Sequence, residues 1–179
     1  MASEGDILEI PDELAERRDA YCTSRGKTIF ARRRGFGFDA VIWQTDDDNI
    51  LKVFRRPQRF HQELAVYQRL QALHSKKTTD SEDIFPKQLY RIQGFSIPLL
   101  LDFDEPTIVL ELSYVSPPYI LDFAEASLEP RQVPFDDPTR EVEYRRVFGA
   151  NWPEVRRLLD SLRQLGIFYM DVHGKNICC

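Results

Sequence analysis

The chain has 179 residues, 42% hydrophobic and 30% charged, with a formal net charge of −5. That length fits one domain or two small lobes with a true core, and the acidic balance argues against a nucleic-acid binder that works by bulk attraction. Three cysteines, two of them adjacent, make no disulfide framework. The acidic start, Met1 to Asp6, lacks the basic flank and apolar stretch of a signal peptide. The longest apolar run, near Ile97–Leu101, is broken by Pro98 and is too short to span a bilayer. An intracellular, reduced setting without membrane or nucleic-acid partners is the expectation. The basic clusters Arg32–Arg34 and Arg55–Arg56 leave room for an anion site.

In chain order, residues 11–21 read as a short polar helix with Pro11 and acidic residues at its start. Its apolar face is thin, which predicts light packing. Thr28–Ala31 and Ala40–Thr45 are β-rich runs around a glycine-containing turn, hence a hairpin, and Ile50–Phe54 is a third strand. A helix is expected over Arg59–His74, where Phe60, Leu64, Tyr67, Leu70 and Leu73 recur at helical spacing. After a polar loop at Lys76–Asp83, strands are expected near Gln88–Phe95 and Thr107–Val115, with a turn at Asp102–Pro106.

Pro117-Pro118 is a strong break and the expected boundary between lobes. A short helical stretch is expected at Leu121–Ala126, then a helix over Pro138–Phe148 capped by Asp137. Asn151 is expected to cap a last helix with the stripe Val155, Leu158, Leu159, Leu162 and Leu165, ended by Gly166. Ile167–Met170 then reads as a short strand. The order predicts an α+β fold, with an N-terminal helical extension (1–27), a β-rich lobe (28–116) and a helical segment (117–179).

Three features carry chemistry. In the turn Gly35-Phe-Gly37-Phe-Asp-Ala40, the glycines allow close approach of backbone to a phosphate. Alone, such a turn is more often an ordinary hairpin. Lys52 alternates onto the same face as Ile50 and Phe54, so it either snorkels outward or meets a partner. Glu63 falls between Tyr67 and Leu70 on the apolar face of the expected helix, where a carboxylate is costly unless paired. Lys52 is the nearest strand cation for it. Finally, Asp171 and Asn176 follow the last short strand, a spacing that offers a base for a hydroxyl proton and an oxygen ligand for Mg2+. His173 and Lys175 either contact phosphate there or are solvated loop residues. Zinc is a poor match, because Cys178 and Cys179 are adjacent rather than separated.

In this order the features resemble the protein-kinase-like fold: an α+β chain with a β-rich N-lobe carrying one main helix, a hinge and an incomplete helical C-lobe. Asp171-Val-His-Gly-Lys-Asn176 is similar to the Asp-x-His-x-x-Asn loop of aminoglycoside- and choline-kinase-like enzymes, and small fungal kinase-like proteins are a further resemblance. The resemblance implies ATP-dependent phosphoryl transfer to a hydroxyl, with ATP and Mg2+ as cofactors. It implies that Gly35 and Gly37 cover the phosphates, that Lys52 contacts them and that Glu63 holds Lys52. Ile42 and Ile50 would line the adenine pocket, Leu110 would be the gatekeeper, and the backbone of Glu111 and Ser113 would meet adenine. Asp171 would be the catalytic base and Asn176 a metal ligand.

Some positions depart from the family. Ala40 stands for the third glycine, and Tyr169-Met170 replaces the usual His-Arg before the base. The family's second metal ligand, the Asp of Asp-Phe-Gly, is expected about a dozen residues beyond the Asn, whereas the sequence ends at Cys179. Asp136, Asp137 or a partner chain are the candidates to replace it. The alternatives are therefore a catalytically inactive, pseudokinase-like module that binds nucleotide or a protein partner, or a truncated part of a longer kinase.

Overall fold

The computed structural model describes residues 11–36, 39–77, 90–116, 120–174 and 176–179. The expected hairpin is formed by β1 (Ile29–Phe36) and β2 (Ala40–Thr45), antiparallel with Gly35 opposite Ile42; Gly37 lies outside the described residues. Asp48, at φ +64°, turns the chain into β3 (Asn49–Phe54). The helix that follows, α2 (Pro57–Lys77), is longer at both ends than its apolar stripe.

Of the stretch read as one strand near Gln88–Phe95, Gln88 and Leu89 lie outside the described residues, and the rest enters a tight hairpin instead. It joins β4 (Tyr90–Ile92) to β5 (Phe95–Ile97), and Gln93 and Gly94 turn at φ +51° and +86°. Two consecutive residues at positive φ give the twist that a two-residue hairpin needs. Next come β6 (Leu100–Asp104) and β7 (Val109–Ser113), joined by a turn in which Asp104 accepts from Thr107 N and Oγ1. The result is a five-stranded antiparallel sheet in the order β1-β2-β3-β7-β6.

Residues 121–126 are not helical. β8 (Ile120–Leu121) and β9 (Ala126–Ser127) flank a turn, with β8 paired to β5 on one side and to β11 (Ile177–Cys178) on the other. Leu121 and Phe123 are fully buried, and the two strand partners override a composition that suits a helix. β9 pairs with β10 (Phe168–Tyr169).

Asp137 does cap, accepting from Thr139 N at 2.9 Å, but it starts a 3-10 turn before α3 (Glu141–Phe148). Asn151 is no side-chain cap for α4 (Trp152–Gln164). It ends another 3-10 turn with near-helical backbone (φ −82°, ψ −8°), outside the extended conformation a capping side chain uses. Trp152 instead stacks on Tyr144 and Phe148, fixing α4 against α3.

The two faces of the five-stranded sheet bury different partners, as strand alternation requires. One face, with Phe54, Leu110 and Leu112, meets Phe60, Leu64 and Tyr67 of α2. That core continues through Phe123, Leu158, Tyr169 and Ile177, so it joins residues from both sides of Pro117-Pro118. The other face, with Val41, Trp43, Leu51, Val53 and Val109, packs on Leu14, Tyr21 and Cys22 of α1 (Asp12–Arg25). The expected light packing of this helix is therefore corrected: its stripe is thin, but its few anchors are fully used. Among the described residues, no helix is long and apolar enough to cross a membrane.

Polar bonds complete the α1 contact. The Tyr21 hydroxyl lies 2.9 Å from both Asp102 Oδ2 and Glu111 Oε2, and Lys27 Nζ reaches Glu111 Oε1 at 2.9 Å. Arg17 donates to Phe54 O at 2.7 Å. Tyr21→Phe removes the shared donor from two carboxylates and is expected to cost about 1–3 kcal/mol in chemical denaturation. Burial alone would raise the Asp102 carboxyl, but hydrogen bonds from Arg25 and Tyr21 outweigh it and hold the group below its usual 3.8. A depressed folded-state pKa stabilises above the unfolded value and is lost as pH falls. Asp102→Asn should therefore lower the melting temperature near neutrality and make the decline below pH 3.8 shallower than in wild type.

Candidate functional site

Lys52 sits opposite Ile42 on β2 and Leu110 on β7, so its side chain leaves the sheet on the α2 face. There Nζ meets Glu63 Oε1 at 2.7 Å and Asp122 Oδ1 at 2.8 Å. Lys52 and Glu63 are 5% and 4% exposed, so neither charge has water as an alternative partner. Burial works against the Lys52 ammonium, but Asp122 and Glu63 more than offset it and raise its pKa, so the proton stays on. Burial pushes the Glu63 carboxyl up, against the pull of Lys52.

Asp122 is fixed by backbone as well as by Lys52. It follows β8 directly, its N–H donates to Asn176 O at 2.9 Å, and its carbonyl accepts from the Tyr169 hydroxyl at 2.5 Å. The antiparallel pair Leu121–Ile177 thus sets Asp122 beside Asn176, although the two are far apart in sequence.

The loop between β10 and β11 is organised around Asp171. Asn176 Nδ2 donates to Asp171 Oδ2 at 2.7 Å and to its carbonyl at 3.3 Å, and His173 Nε2 lies 3.1 Å from the same Oδ2. Backbone bonds from His173 N to Asp171 O and from Asn176 and Ile177 N to His173 O close the turn. His173 is thus engaged with Asp171; Lys175 lies outside the described residues.

These groups line one cavity of about 650 Å³, together with Ile42, Arg59 and Glu125. Gly35 lies within β1, opposite Ile42 of that wall. Other sequence-derived candidates are elsewhere. Ile50 packs against the main core and is not on the cavity wall. Leu110 is fully buried on the α2 face. Glu111 and Ser113 belong to β7, which is paired on both sides. The Ser113 N–H is bonded to Leu99 O at 2.9 Å, and the Glu111 side chain turns to the α1 face. The geometry therefore does not bring Glu111 or Ser113 to the cavity.

Nor does it bring Asp136 or Asp137. Asp136 is bound by Arg156 and Arg163, and Asp137 caps its turn. The carboxylate that joins Lys52 is Asp122, which the local composition assigns to a helix. A signal was present: Ile120-Leu121-Asp122-Phe123 is an Asp-Phe pair after two apolar residues, placed before the Asp171 loop rather than after it.

Carboxylate and amide oxygens of Asp122, Asp171 and Asn176 share the cavity wall, a hard donor set that suits Mg2+. Among the described residues, no group of three or more His, Cys, Asp or Glu side chains is arranged to hold a metal ion.

No family model and no curated protein matches this chain. Among solved structures, it is similar to the streptomycin-ATP-APH(2″)-IIa ternary complex at 11% identity, with a TM-score of 0.38. The match covers 94% of this chain, which spans 43% of that one.

Lys52→Met strands two carboxylates and is expected to cost about 3–5 kcal/mol. Adding Glu63→Leu should recover a large part of that loss, as read by urea denaturation of both variants. The buried Tyr67 hydroxyl has no hydrogen-bond partner among the described residues. Tyr67→Phe should therefore be neutral or stabilising, whereas Tyr169→Phe should cost about 1 kcal/mol.

Proposed function

We propose that this chain is a kinase-like, ATP-using domain whose chemistry is phosphoryl transfer to a hydroxyl. The observation that carries the reading is the meeting of Lys52, Glu63, Asp122, Asp171 and Asn176 in one cavity, from separate segments of the chain. In phosphoryl transfer the protein contributes mainly positioning and neutralisation of charge. Lys52, steadied by Glu63, would contact the phosphates. Asp171 would accept the proton of the acceptor hydroxyl as its oxygen attacks the γ-phosphorus and the bond to the β-phosphate breaks, releasing ADP. Asp122 and the Asn176 amide oxygen would hold Mg2+, which supplies positive charge to the phosphates when bound. Asp122 would thus fill the role of the Asp in Asp-Phe-Gly from an earlier point in the chain.

One observation favours a second reading, nucleotide binding without turnover. Asp122 is joined to Lys52 at 2.8 Å, so each group that would serve the nucleotide is satisfied by the other.

Steady-state assays with MgATP and a panel of hydroxyl acceptors separate the two. The first reading expects Asp171→Ala to lower kcat by about 10²–10⁴-fold with the fold intact, and Asp122→Asn and Asn176→Ala to raise the Mg2+ requirement. Equal turnover in wild type and Asp171→Ala would overturn it. A melting shift with ATP that Lys52→Ala abolishes, without turnover, would establish the second.

A further inference from the structure

Five of the described side chains on the cavity wall are carboxylates, and two, Lys52 and Arg59, are cations. The cations differ in access. The Lys52 side chain is 6% exposed and already holds two carboxylates, while that of Arg59 is 27% exposed. An anion entering from solvent therefore meets Arg59 first.

Arg59 lies in the first turn of α2, which has no acidic residue of its own. Its charge is balanced from outside the helix. Nη2 contacts Glu125 Oε1 at 2.6 Å, and Nε lies 3.3 Å from Oδ2 of Asp39, the residue before β2. The bridge Asp39–Arg59–Glu125 thus links the hairpin, the helix and the segment after Asp122. Glu125 also sits at φ +62°, a conformation unusual for a residue with a side chain. Asp122, three positions earlier, is held by Lys52, Tyr169 and the Asn176 carbonyl, so the strained end of this turn is the end that carries the Arg59 contact.

We propose that Arg59 and Glu125 form an exchangeable latch, in which Glu125 occupies the place of a phosphate and yields Arg59 to the polyphosphate chain of an incoming ligand. Arg59 is then a specificity-determining residue that favours a tri- over a monophosphate. For the ligand's identity as a nucleotide, the proposal rests on the ATP-using function proposed for the cavity; for the polyphosphate it rests on Arg59 alone. A guanidinium suits the exchange, since its planar fork binds carboxylate and phosphate oxygens in the same way.

The test is calorimetric titration of inorganic triphosphate, and separately of MgATP and AMP, into wild type, Glu125→Gln, Arg59→Lys and Arg59→Ala. Glu125→Gln keeps the side-chain volume but removes the competing charge, and should bind triphosphate several-fold tighter, most clearly at low salt. Arg59→Ala should weaken triphosphate and MgATP by about tenfold or more, Arg59→Lys by less, and AMP should be little affected. Triphosphate binding no tighter in Glu125→Gln than in wild type overturns the latch, whether or not Arg59→Ala folds. So does equal triphosphate affinity in wild type and Arg59→Lys or Arg59→Ala, and so does the absence of triphosphate binding in wild type and Glu125→Gln alike. Arg59-dependent triphosphate binding without any MgATP binding would uphold the latch and refute the nucleotide reading.

Discussion

One ammonium facing two carboxylates governs how the parts of this molecule are arranged. Lys52 comes from the middle of a sheet, Glu63 from the helix on that sheet, and Asp122 from the end of a strand in a second sheet. Apolar packing can hold α2 against β3 at several small offsets. A buried ion pair is less tolerant, because a charge that misses its partner keeps the whole desolvation penalty. Lys52 therefore fixes the distance between the sheet, the helix and the second sheet, and the cavity is what remains between them.

The Lys52–Glu63 contact was legible in the sequence for a local reason. Each residue puts a charge where the period of its own element calls for an apolar side chain, and two such violations close together suggest each other. The Asp171 loop was legible because its partners, His173 and Asn176, lie within the same few residues. Asp122 was not, since its neighbours come from β8–β11 pairing, a long-range event that a local composition compatible with helix conceals. Glu111 shows the opposite limit. It too is a charge in an apolar strand, but its partners Tyr21, Lys27 and Asn49 come from α1 and its flanks and from β3, and the resemblance speaks only of its backbone, against adenine. The close packing of α1 is not legible in its thin stripe because periodicity counts positions, whereas burial depends on size: Tyr21 and Leu14, with Cys22, fill what several smaller residues would otherwise fill.

The strand that carries Lys52 is supported from behind. Leu51 and Val53 on its reverse face pack against α1, while Glu111 on the neighbouring strand gathers donors from three directions. A side chain that has to present a charge at a fixed point needs a backbone that does not move, and this strand has one helix on each side of it. The N-terminal helix, on the opposite face of the sheet, thus contributes to the site through rigidity.

The rung that joins β8 to β11 has a consequence for how the site can fail. Successive strand residues point to opposite faces, so a slip of one position does not shift a side chain slightly but inverts it. Leu121 and Ile177 are both fully buried, and a slip would turn both apolar groups outward at the same time as it carried Asp122 away from Lys52 and Asn176. Correct assembly of the site and correct burial of the strand are therefore a single event. A chain that has packed this strand in register has already placed the carboxylate.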